Sequence, residues 1–153
     1  MLILRLAQAF QDEGLRFAVA GGYAVALHGA VRGTVDVDIV LRFSRKDFLA
    51  AERVLKGLGL ASRLPVDAGQ VFDFREDYIK NRNLIAWSFS NPSNPAEIVD
   101  VVITHDLDGM KVDRIKIGRS AIPIVSRRDL IAMKKKSGRP QDLEDVKALE
   151  ALG

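Results

Sequence analysis

Apolar residues recur along the chain with two different periods, and those periods predict its elements. Leu2, Leu6 and Phe10, with Ile3 and Ala7, fall at helical spacing, so residues 2–13 read as an amphipathic helix. Gly14 ends it, as a residue able to leave a helix through the left-handed region. Phe17–Ala20 is a short apolar run bounded by glycines and reads as a buried strand. Gly21-Gly22 opens a second helix to about Gly29, with Ala24, Val25, Leu27 and His28 at helical offsets. Val35–Leu41 is β-branched and alternating, which makes it a strand. Ser44 and Asp47 form a capping box that starts a helix to about Leu58.

Residues 60–82 carry no clear period. Leu84–Phe89 and Glu97–Thr104 read as strands, separated by the Asn-Pro-Ser-Asn-Pro turn at 91–95. Lys116–Gly118 and Ala121–Val125 read as a hairpin or short strand pair. Ser126 and Asp129 form a second capping box, opening a helix that stops near Ser137-Gly138. Pro140 suits the first turn of a last helix, which runs to about Leu152. The order implies an α/β (α+β) domain over residues 1–153, a mixed β-sheet flanked by helices with two helices closing the chain. A length of 153 residues suits one domain of this kind.

Composition narrows the chemistry. With 48% apolar and 28% charged residues, the chain is neither disordered nor fibrous in character. Zero cysteines exclude a disulfide framework, a thiolate zinc site and a cysteine nucleophile, and two histidines leave little for zinc. No apolar run reaches the ~20 residues of a membrane span, and MLILRLAQAF carries Arg5 inside its apolar stretch, unlike a signal peptide. The expectation is a cytoplasmic protein without a membrane partner. Charge is uneven: residues 111–139 hold ten basic and two acidic side chains, a local +8 against −5 elsewhere. Such a segment is either a solvated face or a surface for a phosphate-bearing partner.

The candidate chemistry starts with Asp36-Val37-Asp38 in VDVDIVL. Strand alternation puts both carboxylates on one face. They either meet water at a strand end or share a compensating group, basic or a divalent cation. Asp100 interrupts Ile98-Val99-Asp100-Val101-Val102-Ile103, which otherwise reads as a strand buried on both faces. It is then a paired structural carboxylate or a functional one. Were its strand beside 35–41, three carboxylates would converge, a donor set suited to one or two Mg²⁺ ions and substrate phosphates. Gly21-Gly22 links a strand to a helix start, either as a plain tight turn or as a close approach for a phosphate. Arg32 and Thr34 could add a fork donor and a hydroxyl at the same rim.

Gly21-Gly22, thirteen residues, then Asp36-Val37-Asp38 resembles the signature of the DNA polymerase beta-type nucleotidyltransferase superfamily. The longer string GGYAVALHGAVRGTVDVDIVL is similar to small bacterial members related to the AbiEii toxin group. Asp100 matches the later acidic position of that family, and residues 126–149 resemble its terminal helices. The resemblance implies a minimal nucleotidyltransferase fold and a Mg²⁺-dependent transfer of an NMP unit from an NTP to a hydroxyl of a nucleic acid, protein or small molecule. It implies Asp36, Asp38 and Asp100 as metal-binding and catalytic residues. Gly21, Gly22, Arg32, Thr34 and Lys134 would then bind the nucleotide. RNA or protein acceptors, and a cognate toxin or antitoxin partner, belong to the same implication. Gly22 departs from the pattern where the family often has serine, so no hydroxyl is available there. The alternative is a non-catalytic antitoxin or a regulatory or nucleic-acid-binding subunit that keeps the fold.

Other residues read as structural. Lys134 would otherwise be one of a solvated lysine run, and Arg139 pairs with Asp142 or Asp145 to fix the last two helices. His28 is a packing or hydrogen-bonding residue, His105 to Gly109 a polar turn, and Trp87 core. No phosphate loop, dinucleotide fingerprint or nucleophile elbow is present.

Overall fold

A computed structural model describes residues 1–152. Helix α1 (Leu2–Asp12) buries the stripe Ile3, Leu6, Ala7 and Phe10, and the chain turns away at Gly14 with φ +65°. Strand β1 (Ala18–Ala20) is wholly buried and runs directly into the short helix α2 (Gly21–Leu27). After a loop comes β2 (Val37–Val40), then α3 (Arg45–Gly57), β3 (Ala61–Ser62), α4 (Ala68–Asp73) and α5 (Arg75–Arg82). Strands β4 (Ala86–Asn91) and β5 (Asn94–Val102) form a hairpin, and β6 (Val112–Ile117) and β7 (Ser120–Val125) a second one. Helices α6 (Arg127–Ser137) and α7 (Pro140–Glu150) close the chain.

The seven strands form one mixed sheet in the order β3-β4-β5-β2-β1-β7-β6. At its centre β2 is parallel to β5 and antiparallel to β1, while β1 is parallel to β7. Val37 and Ile39 of β2 and Val99 and Val101 of β5 point to one face, each at most 1% exposed. Alternation therefore commits the other face of the same two strands to their acidic residues.

Several expectations need correction. The strand expected over 35–41 is shorter, because Val35 is exposed in the loop ahead of β2. The two strands around the 91–95 turn lie at 86–91 and 94–102, with the turn tightened to Pro92-Ser93. The later pair starts four residues early, at Val112. The unassigned stretch 60–82 holds β3, α4 and α5. Helix α4 does carry a local signal, the reciprocal capping box of Asp67 and Gln70. Helix α5 buries no residue fully, so it has no apolar stripe to betray it.

Both capping boxes expected at Ser44 and Ser126 are half made. Each serine hydroxyl accepts the backbone N–H of Asp47 or Asp129, but neither aspartate reaches back. Asp47 instead accepts from Arg42 at 2.8 Å, and Asp129 from the Lys111 N–H at 2.7 Å. The structural readings of His28 and Trp87 hold: His28 Nε2 pairs with the Val125 carbonyl at 2.8 Å, and Trp87 is fully buried. The 105–109 segment is a polar 3₁₀ turn in which Asp106 accepts the Phe43 and Asp108 N–H groups. No helix among the described residues is long and apolar enough to cross a membrane.

Candidate active site

Register decides where the acidic residues go. In the parallel pair of β2 and β5, Asp38 is the direct partner of Asp100, and β1 places Ala20 on the other side of Asp38. Asp36 stands two residues ahead of Asp38, just before β2 begins, and Ser88 of β4 flanks Asp100. The three carboxylates predicted from the sequence thus come to one region of one sheet face. The expectation that β5 is buried on both faces is wrong: Ile98, Asp100 and Val102 lie on a partly open face. That opening is what lets a charged residue occupy the middle of the strand.

Two carboxylates side by side in a half-enclosed cleft repel one another and lose hydration. Burial first, and then the charge of Asp100, push the Asp38 pKa up to about 7. The Lys134 ammonium acts in the opposite direction. Asp36 is also raised, by burial and by Asp100, against the opposing charge of Arg63. The site is therefore short of positive charge. A divalent cation, a hard ion that takes carboxylate oxygens, fits this donor set. Among the described residues no three His, Cys, Asp or Glu side chains stand already gathered in metal geometry, so carboxylate rotation must complete any such site.

Gly21 is required by this packing. Its φ is +61°, and a Cβ there would lie 1.7 Å from Asp38 Oδ2. The glycine gives the carboxylate its room. A Cβ at Gly22 would meet Thr34 at 2.9 Å and the Arg32 guanidinium carbon at 3.2 Å. The missing serine is thus matched by a loop folded against that position, which brings the Thr34 hydroxyl there instead. Thr34 itself donates to the Asp36 carbonyl at 3.4 Å.

Across the cleft lies an ionic cluster. Lys134 of α6, only 8% exposed, contacts Asp142 at 3.3 Å and Asp145 at 2.9 Å on α7. Arg32 binds Asp145 at 2.9 Å, and Arg139 binds Asp142 at 2.7 Å. Burial alone would raise both α7 carboxyls, but hydrogen bonds from Arg139 and Lys134 hold Asp142 below the ordinary carboxylate range. Lys134, Arg32 and Gln141 do the same for Asp145. Lys134 is therefore not part of a solvated run; it is a buried cation facing Asp38 and clamped to α7. Arg139 pairs with Asp142 as expected from the sequence, but both stand at the start of α7, so the bond caps that helix, and it is Lys134 that ties α6 to α7.

Two connected cavities meet at Asp38. One, of about 470 Å³, is bordered by Gly22, Arg32, Thr34, Asp36, Asp38 and Arg139 and is mostly polar. The other, of about 350 Å³, runs between the sheet residues Ala86 and Val102 and the α6 residues Leu130 and Met133. Asp38, Lys134, Arg139 and Asp142 border both. Six of the residues singled out from the sequence, Gly22, Arg32, Thr34, Asp36, Asp38 and Lys134, thus share the polar arm, and Gly21 lies on the other. Arg139 and the apolar arm were not foreseen as site features. The arm's walls come from α5, β4, β5 and α6, and no single stretch of sequence contains them.

Solved nucleotidyltransferases share this fold of a mixed sheet with two closing helices. The chain is similar to ANT(2'')-Ia, whose structure holds adenylyl-2''-tobramycin, with TM-score 0.64 and 14% identity, covering 99% of this chain and 88% of that one. It is similar to the lincosamide antibiotic adenylyltransferase LnuA with lincomycin bound, with TM-score 0.64 and 12% identity over 99% and 96% of the two chains. A Thermotoga maritima protein provisionally classed as a nucleotidyltransferase matches with TM-score 0.64 and 13% identity over 95% and 88%. No protein-family profile and no curated protein matches the chain.

Proposed function

We propose that the chain is a nucleotidyltransferase that moves an NMP unit from an NTP onto an acceptor hydroxyl. The observation that carries this reading is the register of Asp38 against Asp100, with Asp36 on the same side, at the junction of the two cleft arms. The adenylylated product held by one neighbour and the antibiotic held by another support the same class of transfer. Asp36, Asp38 and Asp100 would hold Mg²⁺, which when bound neutralises polyphosphate charge and polarises the reacting phosphoryl group.

The chain's own groups account for the rest. Thr34, Arg32, Arg139 and the Gly22 backbone orient the polyphosphate in the polar arm, with Gly21 bordering the other arm beside Asp38. Lys134, held by Asp142 and Asp145, adds positive potential at Asp38 and fixes α6 and α7 over the cleft. Asp100, paired with Asp38 across β2 and β5, would take the proton of an incoming acceptor hydroxyl. The acceptor oxygen then bonds to the α-phosphorus as the bond to the β-phosphate oxygen breaks, and pyrophosphate leaves. The similarity of residues 21–41 to AbiEii-related proteins makes a cognate toxin or antitoxin partner part of this reading.

The test is transfer of label from each α-³²P NTP, with Mg²⁺, to total RNA, to the protein itself and to small alcohols. The wild type is expected to label one acceptor class, and Asp38→Asn and Asp100→Asn to lose about 100-fold or more of that rate. Full activity in either variant removes the mechanism. A second reading, a non-catalytic subunit with this fold, draws on the lack of a ready-gathered ligand set among the described residues. It predicts no label transfer with any NTP.

A further inference from the structure

Of the ten cations in residues 111–139, three are occupied. Lys134 and Arg139 are engaged by the α7 carboxylates, and Arg127 donates to the Leu152 carbonyl. The other seven are exposed and form no ion pair among the described residues. Arg114 and Lys116 stand two apart on the edge strand β6, so they share one side of it. Register says which side. They lie opposite Pro123 and Ala121, whereas Ile124 pairs with Val19 and through it with Ile39 on the dry face. Arg114 and Lys116 therefore belong to the face that carries Asp38 and Asp100, the face that α6 covers. Asp113 is on the opposite side, and Asp129 accepts the Lys111 N–H at 2.7 Å, which seats Lys111 against the first turn of α6. Arg128, Ala132 and Lys135 follow at helical spacing along the outer side of α6, all exposed. Lys136 comes next and borders the cleft together with Arg139.

We infer that this run of cations is a track for a single nucleic-acid strand, whose phosphodiesters lie along β6 and the outer side of α6 and whose terminal hydroxyl enters the cleft past Lys136. The acceptor of the transfer is then a polynucleotide; this rests on the nucleotidyltransferase reading and adds to it the acceptor class and its path. Edge-strand lysines discourage sheet-to-sheet pairing, and cations suit a helix C-terminus. Neither local reason accounts for a run that continues from one element to the next and ends at the cleft. Same-side residues of β6 are about 7 Å apart and α6 is roughly 16 Å long, so the charges form a line rather than a pocket. A line of cations matches a polyanion of repeating charge better than a single phosphate. Within 111–139 Val112 is the one large apolar residue that is exposed, so the track lacks the apolar anchors of a membrane-surface helix. The chemistry is that already given: the strand's hydroxyl oxygen bonds to the α-phosphorus, its proton passes to Asp100, and pyrophosphate leaves.

Fluorescence anisotropy with labelled ~20-nucleotide RNA and DNA strands of one sequence, from about 50 to about 200 mM salt, tests the track. Binding to wild type should weaken steeply with salt. Arg114→Gln with Lys116→Gln, and separately Arg128→Gln with Lys135→Gln, should each weaken it about 10-fold and flatten the salt slope by about 1.4. Lys46→Gln with Lys56→Gln, exposed cations of α3, should change it by less than ~2-fold. With the better-bound strand as acceptor of α-³²P label, each track pair should raise the KM for the strand about 10-fold and leave kcat unchanged. No binding by wild type, an equal loss in the α3 pair, or displacement by polyglutamate as readily as by unlabelled strand overturns the track. The nucleotidyltransferase reading then stands, because transfer to any acceptor class supports it. Label passing only to the protein itself or to small alcohols overturns the polynucleotide acceptor. If no acceptor takes label from any NTP, the nucleotidyltransferase reading falls and takes this inference with it. Thermal melting checks each pair, and should one track pair fail to fold, the other decides.

Discussion

Asp38 and Asp100 are side-by-side neighbours across the parallel pairing of β2 and β5, sixty-two residues apart in the chain, and the charge of Asp100 helps to raise the Asp38 carboxyl. The relationship costs stability when no cation is present. A buried carboxyl raised to about 7 holds its proton in the folded state over a pH range where the unfolded chain has lost it.

The sign follows directly. The proton on Asp38 favours the fold below about pH 4 fully, and that contribution is lost as pH rises toward 7 and beyond. Metal-free wild type should therefore lose on the order of 3 kcal/mol of this contribution between pH 4 and pH 8. Asp38→Asn abolishes the term, so it should raise the melting temperature at pH 8 far more than at pH 4. Urea unfolding at the two pH values checks this; equal effects at both contradict it.

The same protonation governs cation affinity, because a carboxyl that holds a proton cannot ligate. Mg²⁺ affinity should rise as pH passes upward through about 7 and level off above it. Titrations from pH 6 to 8.5 measure it. Asp100→Asn, by removing the neighbouring charge, should lower the Asp38 pKa, which carboxyl-carbon NMR reads directly.

Gly21 marks where backbone and site constrain each other. With φ at +61° and Asp38 Oδ2 only 1.7 Å from where a Cβ would stand, Gly21→Ala should destabilise the fold by about 1–3 kcal/mol and displace Asp38. Gly14, with similar φ but nothing within 4 Å, separates the two causes. Gly14→Ala should show the backbone penalty alone, with Mg²⁺ affinity unchanged.

Lys134 is buried with two carboxylates, so its removal should cost more than the loss of a surface lysine. Lys134→Met leaves Asp142 and Asp145 short of a cation and should destabilise by roughly 3 kcal/mol, whereas Lys135→Met should be near neutral. Chemical denaturation of both variants makes the comparison.

How much of this was legible in the sequence differs by feature. Asp36, Asp38 and Gly21-Gly22 were readable because each lies in a short local pattern, an alternating strand or a strand–helix turn. Asp100 could be suspected as a charge inside an apolar run, but its pairing with Asp38 depends on a crossover of β5 to β2 that local pattern does not encode. Lys134 was singled out only through the family resemblance, with a solvated lysine run as the alternative, because a triple-lysine run hides which member faces α7. The ten cations of 111–139 looked like one stripe, yet Lys134 is internal and Arg139 pairs with Asp142 at the mouth of the cleft. Helix α5, β3 and the apolar arm were invisible for a common reason: none buries a continuous stripe of its own, and each acquires its meaning only from its neighbours.

The most direct measurement is diffraction from crystals soaked with Mn²⁺ and a non-hydrolysable NTP, recorded for manganese anomalous signal. The account predicts a peak coordinated by Asp38 together with Asp100 or Asp36, with the polyphosphate lying along Thr34 and Arg139. A nucleotide bound with no metal at these carboxylates, or a manganese peak only elsewhere on the molecule, would contradict it.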